Sequence, residues 1–418
     1  MKVCLEMTLS AIGFRPAARA LAIVSPCLPN ARSPSANTGN LWLLRFGLAE
    51  INRTKEQADD WVWFFDHTIQ TGNGKCLVVI GIRISDWQAK KNAFLTEHPT
   101  GIFSLKHEDM TTWLIKRVDT STGLDVCQDL ESLCQATGIV PALLLSDQGT
   151  DVRNGGELFC AAAGRPTRQA HDIAHATANA LKRQLHKDKS WLAFTSAANC
   201  FKTKIRQSRI AFLMPPDLKQ KARWMNLATL IQWSERVERF LIDPEAGLAA
   251  ASAKVEPEDV KRKLEWLQQY APSLAVWRTM LLAVAVILNY IRNEGYHSGA
   301  AAALRAQLQS FRGAAVERVI AEVLLFVEKQ SESAVGGPVP GSTEVLESLI
   351  GKGKQFLGKS KNGYTKSVLG IAASTAALTI ENIKESLTRT TAKDVTTWVD
   401  EHIGKSLQSQ RIAALPST

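Results

Sequence analysis

The sequence has no Cys-x-x-Cys pair and no cysteine at all beyond residue 200. Its seven cysteines, at 4, 27, 76, 127, 134, 160 and 200, are odd in number and lack zinc-ligand spacing. That pattern argues against a disulfide framework or a structural zinc site and for reduced thiols. Long apolar runs are scarce too. The best, Met280 to Leu288, falls well short of the roughly 20 residues of a membrane span and reads as a buried core helix. Met1 to Ala31 has the length of a signal peptide, but Glu6, Arg15 and Arg19 interrupt any apolar segment. The expectation is a cytoplasmic chain with no membrane partner.

What is present is a basic, globular composition. Lys and Arg number 50 against 40 Asp and Glu, for a formal charge of +10. Such a surplus suits a polyanion, because neutralised phosphates release condensed counterions. At 418 residues the chain has room for two or three domains.

The first 60 residues read as a leader or as the remnant of a helix-turn-helix. Leu9 to Val24 has the pattern of one amphipathic helix with Arg15 and Arg19 on its polar side, and Pro26, Pro29 and Pro34 then break it. At Trp61 the character changes. Trp61-Val-Trp-Phe-Phe65 is a strand run ended by Asp66-His67-Thr68, and Thr71-Gly-Asn-Gly74 turns into a second strand, Cys76 to Ile84. Residues 113–119 suggest a third strand, Asp125 to Thr137 a helix, Ile139 to Leu145 a fourth strand ending at Ser146-Asp147, and Arg168 to Ile173 a short fifth. A helix follows over Ala174 to Leu185. This order predicts an α/β fold with a mixed sheet, with Asp66 and Asp147 at strand ends where open sheets place ligands.

From Ala176 to Glu332 strand signals vanish and helical patterns follow one another, over Trp224–Ile242, Val260–Tyr270, Leu274–Arg292, Ala300–Leu308 and Ala315–Lys329. Gly336 to Gly341 closes the block. Ser342 then suits a helix start, and helices are expected over 343–356, 365–388 and 393–407. The predicted domains are residues 1–60, a first core segment 61–175, a helical insertion 176–335, and a core completion 336–418.

Pattern alone does not choose catalytic acids among 40 acidic residues, since an acid after a strand is commonly a turn former. Four motifs occur in order: Trp61-Val-Trp-Phe-Phe-Asp-His-Thr68, Leu143-Leu-Leu-Ser-Asp-Gln-Gly-Thr-Asp151, Asp172-Ile-Ala-His175, and Ser342-Thr-Glu-Val-Leu-Glu-Ser-Leu-Ile-Gly-Lys-Gly-Lys354. With them the chain, over roughly Trp42 to Arg411, resembles bacterial insertion-sequence transposases of the DDE, RNase H-like superfamily. Those proteins often carry a helical insertion between the second aspartate and the glutamate.

The resemblance implies an RNase H-like mixed sheet and DNA cleavage and strand transfer at transposon ends. It also implies two Mg²⁺ or Mn²⁺ ions held by Asp66, Asp147 and Glu347. Asp66 would bridge both ions, Asp147 would hold one and Glu347 the other. Glu344, one turn earlier on nearly the same face, and Asp172 are alternative third ligands. His175 neighbours Asp172 and would contact DNA, or is a capping or core residue, and Asp151 fits a cap of the helix that follows it. Lys352 and Lys354 would contact phosphate near the cut, although the two glycines of Gly351-Lys-Gly-Lys354 weaken that helix by about 1 kcal/mol each.

The insertion adds a basic tract, Lys202, Lys204, Arg206, Arg209, Lys219, Lys221 and Arg223, ending at Trp224. Trp224 fits a core position or a platform for an unpaired base. Lys359, Lys361 and Lys366 around Gly363-Tyr364 offer further phosphate contacts. The expected partner is double-stranded DNA, transposon end and target, bound by a homodimer. Residues ahead of Trp61 are few for an end-binding domain, so the chain is a truncated member or recognises DNA through its insertion. A nuclease or resolvase on this fold, and an inactive domesticated DNA-binding protein, are the alternatives.

Overall fold

The computed structural model describes the chain apart from residues 11, 28–31, 72–73, 163, 218–223, 225–226, 335, 358–364 and 416–418, and apart from the side chains at 68–71, 357 and 407. It divides into two compact units, residues 1–172 with 340–418, and residues 173–339. Residues 1–60 belong to the first unit.

Three helices open the chain: α1 (Lys2–Leu9), α2 (Phe14–Val24) and α3 (Ala36–Ile51). The single helix expected over Leu9 to Val24 is instead two, because α1 stops at Ser10 and α2 starts afresh behind Gly13. Next come β1 (Trp61–Thr71), β2 (Gly74–Arg83), α4 (Ile84–Glu97), β3 (Thr111–Val118), α5 (Gly123–Thr137), β4 (Leu143–Ser146), α6 (Thr150–Ala161) and β5 (Arg168–His171). The fold is α/β around a mixed five-stranded sheet ordered β3-β2-β1-β4-β5. β2 runs antiparallel to β1 and β3, whereas β4 lies parallel to both β1 and β5.

Side chains alternate across a strand, and the two faces of β1 show it. Trp61, Trp63 and Phe65 pack with Leu77, Val79 and Trp113 against Val126, Leu130 and Leu133 of α5 and Val152 and Phe159 of α6. Gly155 lets α5 and α6 approach, since a methyl group there would meet Val126 at 2.6 Å. The opposite face carries Val62, Phe64 and Asp66.

The second unit is helical: α7 (Ile173–Leu185), α8 (Lys189–Ile205), α9 (Leu227–Ile242), α10 (Pro244–Ala250), α11 (Pro257–Leu264), α12 (Ala271–Glu294), α13 (Ala300–Gln307) and α14 (Ala314–Ser331). Its core holds an aromatic cluster in which Trp191 meets Trp277 edge-on at 5.0 Å and Phe194 meets Tyr270 at 5.3 Å. Pro257–Glu294 is long and apolar enough, by length and composition, to cross a membrane. The Met280 to Leu288 run therefore understates this stretch, because α11, the 3-10 turns and α12 follow without a break. Leu274, Trp277, Met280, Val284, Ile287 and Ile291 of α12 are buried in the unit, as a core helix requires.

The chain then completes the first unit with α15 (Glu344–Leu357), α16 (Leu369–Ala373), α17 (Ile380–Arg389), α18 (Ala392–His402) and α19 (Leu407–Ala414). α15 packs beside β1, while α3, α16 and α18 lie along β3. Thr112, on the β3 face opposite Trp113, hydrogen-bonds the Thr375 hydroxyl at 2.8 Å, which fixes the side on which this layer sits. A second apolar core forms there from Leu5, Leu9, Leu43, Phe46, Ala373, Ala376 and Ile383. The opening helices are thus built into the first unit, with α3 pressed so close to α16 that a methyl group on Gly47 would lie 2.0 Å from the Leu369 carbonyl oxygen.

Candidate metal centre

Three strands bring three aspartates into line. Phe65 of β1 is in register with Ser146 of β4, and Ser146 with His171 of β5. The residue after each is an aspartate: Asp66, Asp147 and Asp172. The Asp172 N–H donates to the Ser146 carbonyl at 2.9 Å, carrying the ladder one residue further. Neighbouring strands run about 4.8 Å apart, so the three backbones step across the sheet at that interval. Asp66 differs from the expectation in one respect. It lies inside its strand, opposite Val78, because β1 continues to Thr71 in its pairing with β2. A central strand extends for as long as it has a partner, and the long hairpin supplies one where β4 has already ended.

Each aspartate has a backbone contact that orients it. The Asp66 carboxylate accepts from the His67 N–H at 2.6 Å, and that of Asp147 from the Gly149 N–H at 2.8 Å, a tight Asx turn. Asp172, fully buried, accepts from the Thr343 N–H at 2.8 Å, 171 residues along the chain. Thr343 in turn receives the Glu347 N–H on its carbonyl at 3.1 Å. Asp172 therefore ties the start of α15 to the end of β5 and sets where Glu347 stands.

Carboxylate oxygens of Asp172 and Glu347 approach within 4.8 Å. Two carboxylates this close repel unless a cation or a proton lies with them, and hard oxygen donors suit Mg²⁺ or Mn²⁺. Glu344, in the same first turn, donates its N–H to the Ser342 hydroxyl oxygen at 3.3 Å, and its carboxylate is not part of this close grouping. Asp66 and Asp147 are not part of it either; they stand with Asp172 in the register row.

A cluster not anticipated from sequence flanks the row. His67, buried on the face opposite Asp66, has Nδ1 3.2 Å from the Asp151 carboxylate, which Lys75 Nζ also reaches at 2.9 Å. The N-cap of α6 is Gly149, not Asp151; the Asp151 carboxylate accepts the first-turn Val152 N–H at 3.1 Å on one oxygen and faces β1 and β2 with the other. Burial pushes the His67 imidazole below its ordinary range, with Asp151 opposing. Burial would raise the Asp151 carboxyl, but Lys75 and His67 more than offset it and hold it below its usual value. His171, next to Asp172, is likewise lowered by burial, against a hydrogen bond to the Asp147 backbone. The alternation that sends Phe65 to one face and Asp66 to the other was the sequence signal for His67.

The basic candidates divide. Around α15, at about 100° per residue, Lys354 lies about 20° from Glu347, whereas Lys352 lies about 140° away. Lys354 is exposed, and Lys352 is half-buried. In the second unit Lys204 and Arg206 are exposed, Lys202 pairs with Asp217, and Arg209 reaches the Lys254 carbonyl at 3.4 Å. Trp224 is partly buried with its ring 6.3 Å from Trp191. Lys219, Lys221, Arg223, Lys359, Lys361 and Gly363-Tyr364 lie outside the described residues, and Lys366 begins a short 3-10 turn. All seven cysteines are free thiols. Compared with known proteins, the chain matches no family model and no curated sequence.

Proposed function

We propose that this chain is a metal-dependent DNA strand transferase, a DDE transposase on an RNase H-like core. The observation that supports it most is the row of Asp66, Asp147 and Asp172 on adjoining parallel strands, with Glu347 delivered to the end of that row. In this reading Asp66, Asp147 and Glu347 hold two divalent ions, with Asp172 as a further oxygen donor. Two such ions, when bound, stabilise the charge on the attacking and leaving oxygens of phosphoryl transfer. The protein's task is then to hold carboxylates in fixed positions, and no side-chain nucleophile is required. Lys354, exposed on the Glu347 side of α15, contacts a phosphate beside the cut. Lys204 and Arg206 in the helical unit follow the DNA backbone.

The reaction is hydrolysis at a transposon end, followed by attack of the freed 3′-hydroxyl on target DNA. The test is strand transfer from a labelled end into a plasmid with Mg²⁺ or Mn²⁺. Wild-type protein should give joined product. Asp66→Asn, Asp147→Asn and Glu347→Gln should each lower its yield at least a hundredfold while DNA affinity persists. Cleavage without any joined product would move the reading to a nuclease on the same fold. Full activity in the Asp66 and Asp147 variants would remove it.

A further inference from the structure

A cavity of about 330 Å³ opens in the first unit among α1, the turn at His107–Asp109, α15 and the end of α16. Leu9 and Leu378 give it an apolar wall, and Lys352 and His107 line the other side. Two carboxylates also reach it, but each has a cation of its own: Glu6 lies 3.7 Å from Lys2, and Glu108 lies 3.9 Å from Lys106. Lys352 has no carboxylate within ion-pair distance among the described residues. Burial depresses its proton affinity; burial, and after it the Lys352 charge, depresses that of His107. His107 is held in place through Nε2, 3.1 Å from the Ser348 hydroxyl. Ser348 and Lys352 are four residues apart on α15, so both project to one side of the helix. An unmatched ammonium and an imidazole therefore meet at a partly enclosed cavity beside an apolar surface.

We propose that this cavity binds a phosphate group, held by Lys352 and His107, with the apolar wall against the sugar or base attached to it. A partly desolvated ammonium gains most from an oxyanion that it can contact directly. The neighbouring imidazole adds a second donor once it takes a proton. The site is independent of the carboxylate row, because Lys352 faces away from Glu347 around α15. The phosphate comes either from a nucleic-acid backbone or from a free nucleotide, and competition separates the two sources.

The experiment uses the full chain in EDTA, so that no divalent ion contributes. Inorganic phosphate is titrated by calorimetry, with and without a short unlabelled DNA duplex. Wild-type protein should bind phosphate, and Lys352→Gln and His107→Gln should each weaken binding at least about tenfold. Lys352→Arg should restore most of it, and Lys384→Gln, at an exposed position of α17, should leave it unchanged. Competition by the duplex assigns the site to backbone phosphate, and its absence assigns it to a free nucleotide. Absence of phosphate binding by the wild type overturns the proposal. So does undiminished binding by Lys352→Gln with native circular dichroism. If Lys352→Gln does not fold, His107→Gln and Lys352→Arg carry the same decision.

Discussion

Asp172 is the residue on which two demands meet. Its carboxylate fixes the Thr343 N–H and stands within 4.8 Å of the Glu347 carboxylate, so a structural and a metal-binding role must be separated by substitution. Asp172→Ala leaves a buried amide without its acceptor and should lower stability by roughly 1–3 kcal/mol. Asp172→Asn keeps an acceptor oxygen and should recover most of that loss while still weakening Mn²⁺ binding. Thermal melts with and without Mn²⁺ would show it; equal metal-induced stabilisation in wild type and Asp172→Asn would remove Asp172 from the ligand set. A second residue-scale prediction concerns pH. Burial lowers His67, His107, His171 and His402 from an ordinary value of 6.5. As pH falls below 6.5, the unfolded chain binds protons that the folded one refuses, so stability falls; above that value the two states bind alike and the contribution is complete. The melting temperature should therefore decline progressively on acidification below about pH 6.5, and His67→Gln should flatten that decline. An unchanged slope would mean that His67 is not among the groups responsible.

At the scale of elements, α15 shows why two similar glycines differ. A methyl group on Gly353 would meet Ile371 Cγ1 at 2.5 Å, whereas one on Gly351 would meet nothing within 4 Å. Gly353→Ala should force α15 off α16 and lower the melting temperature. Gly351→Ala should raise stability by up to about 1 kcal/mol. Chemical denaturation of the two variants side by side checks both signs. The same element was only partly legible. Its start at Ser342 and its acidic first turn were visible as a cap pattern. The choice between Glu344 and Glu347 was not, because both lie on nearly one face and only the approach of Asp172 distinguishes them. β1 was legible as a strand from its aromatic run, but its continuation past Asp66 depends on a partner strand, and local propensity does not encode that. α4 went unread for a related reason: its buried residues are few, Trp87 and Lys91, so it carries little amphipathic signal.

For the whole molecule, the helical unit leaves and rejoins the first unit at residues 172 and 340. The contact between Asp172 and Thr343 brings the two ends of the first unit within hydrogen-bonding reach of each other. Replacing residues 173–339 by a short Gly-Ser linker should therefore leave the sheet and both apolar cores folded, as domain insertions at adjoining ends allow. Circular dichroism and a cooperative melt would show it; a molten product would mean that the first unit depends on the second.

Length, charge and hydrophobic rhythm by themselves determined the α/β class, the five strands and the helical stretch that follows them. Those features are encoded locally, in runs and periods of a few residues. The tertiary structure decided that Asp66, Asp147 and Asp172 share one register row and that Glu347 meets Asp172. It also decided that Asp151 turns to His67, and that Lys352 lines a cavity while Lys354 faces solvent. Each of these depends on residues far apart in the chain, and only strand pairing and helix packing, which minimise the apolar surface left in water over the whole unit, could bring them together.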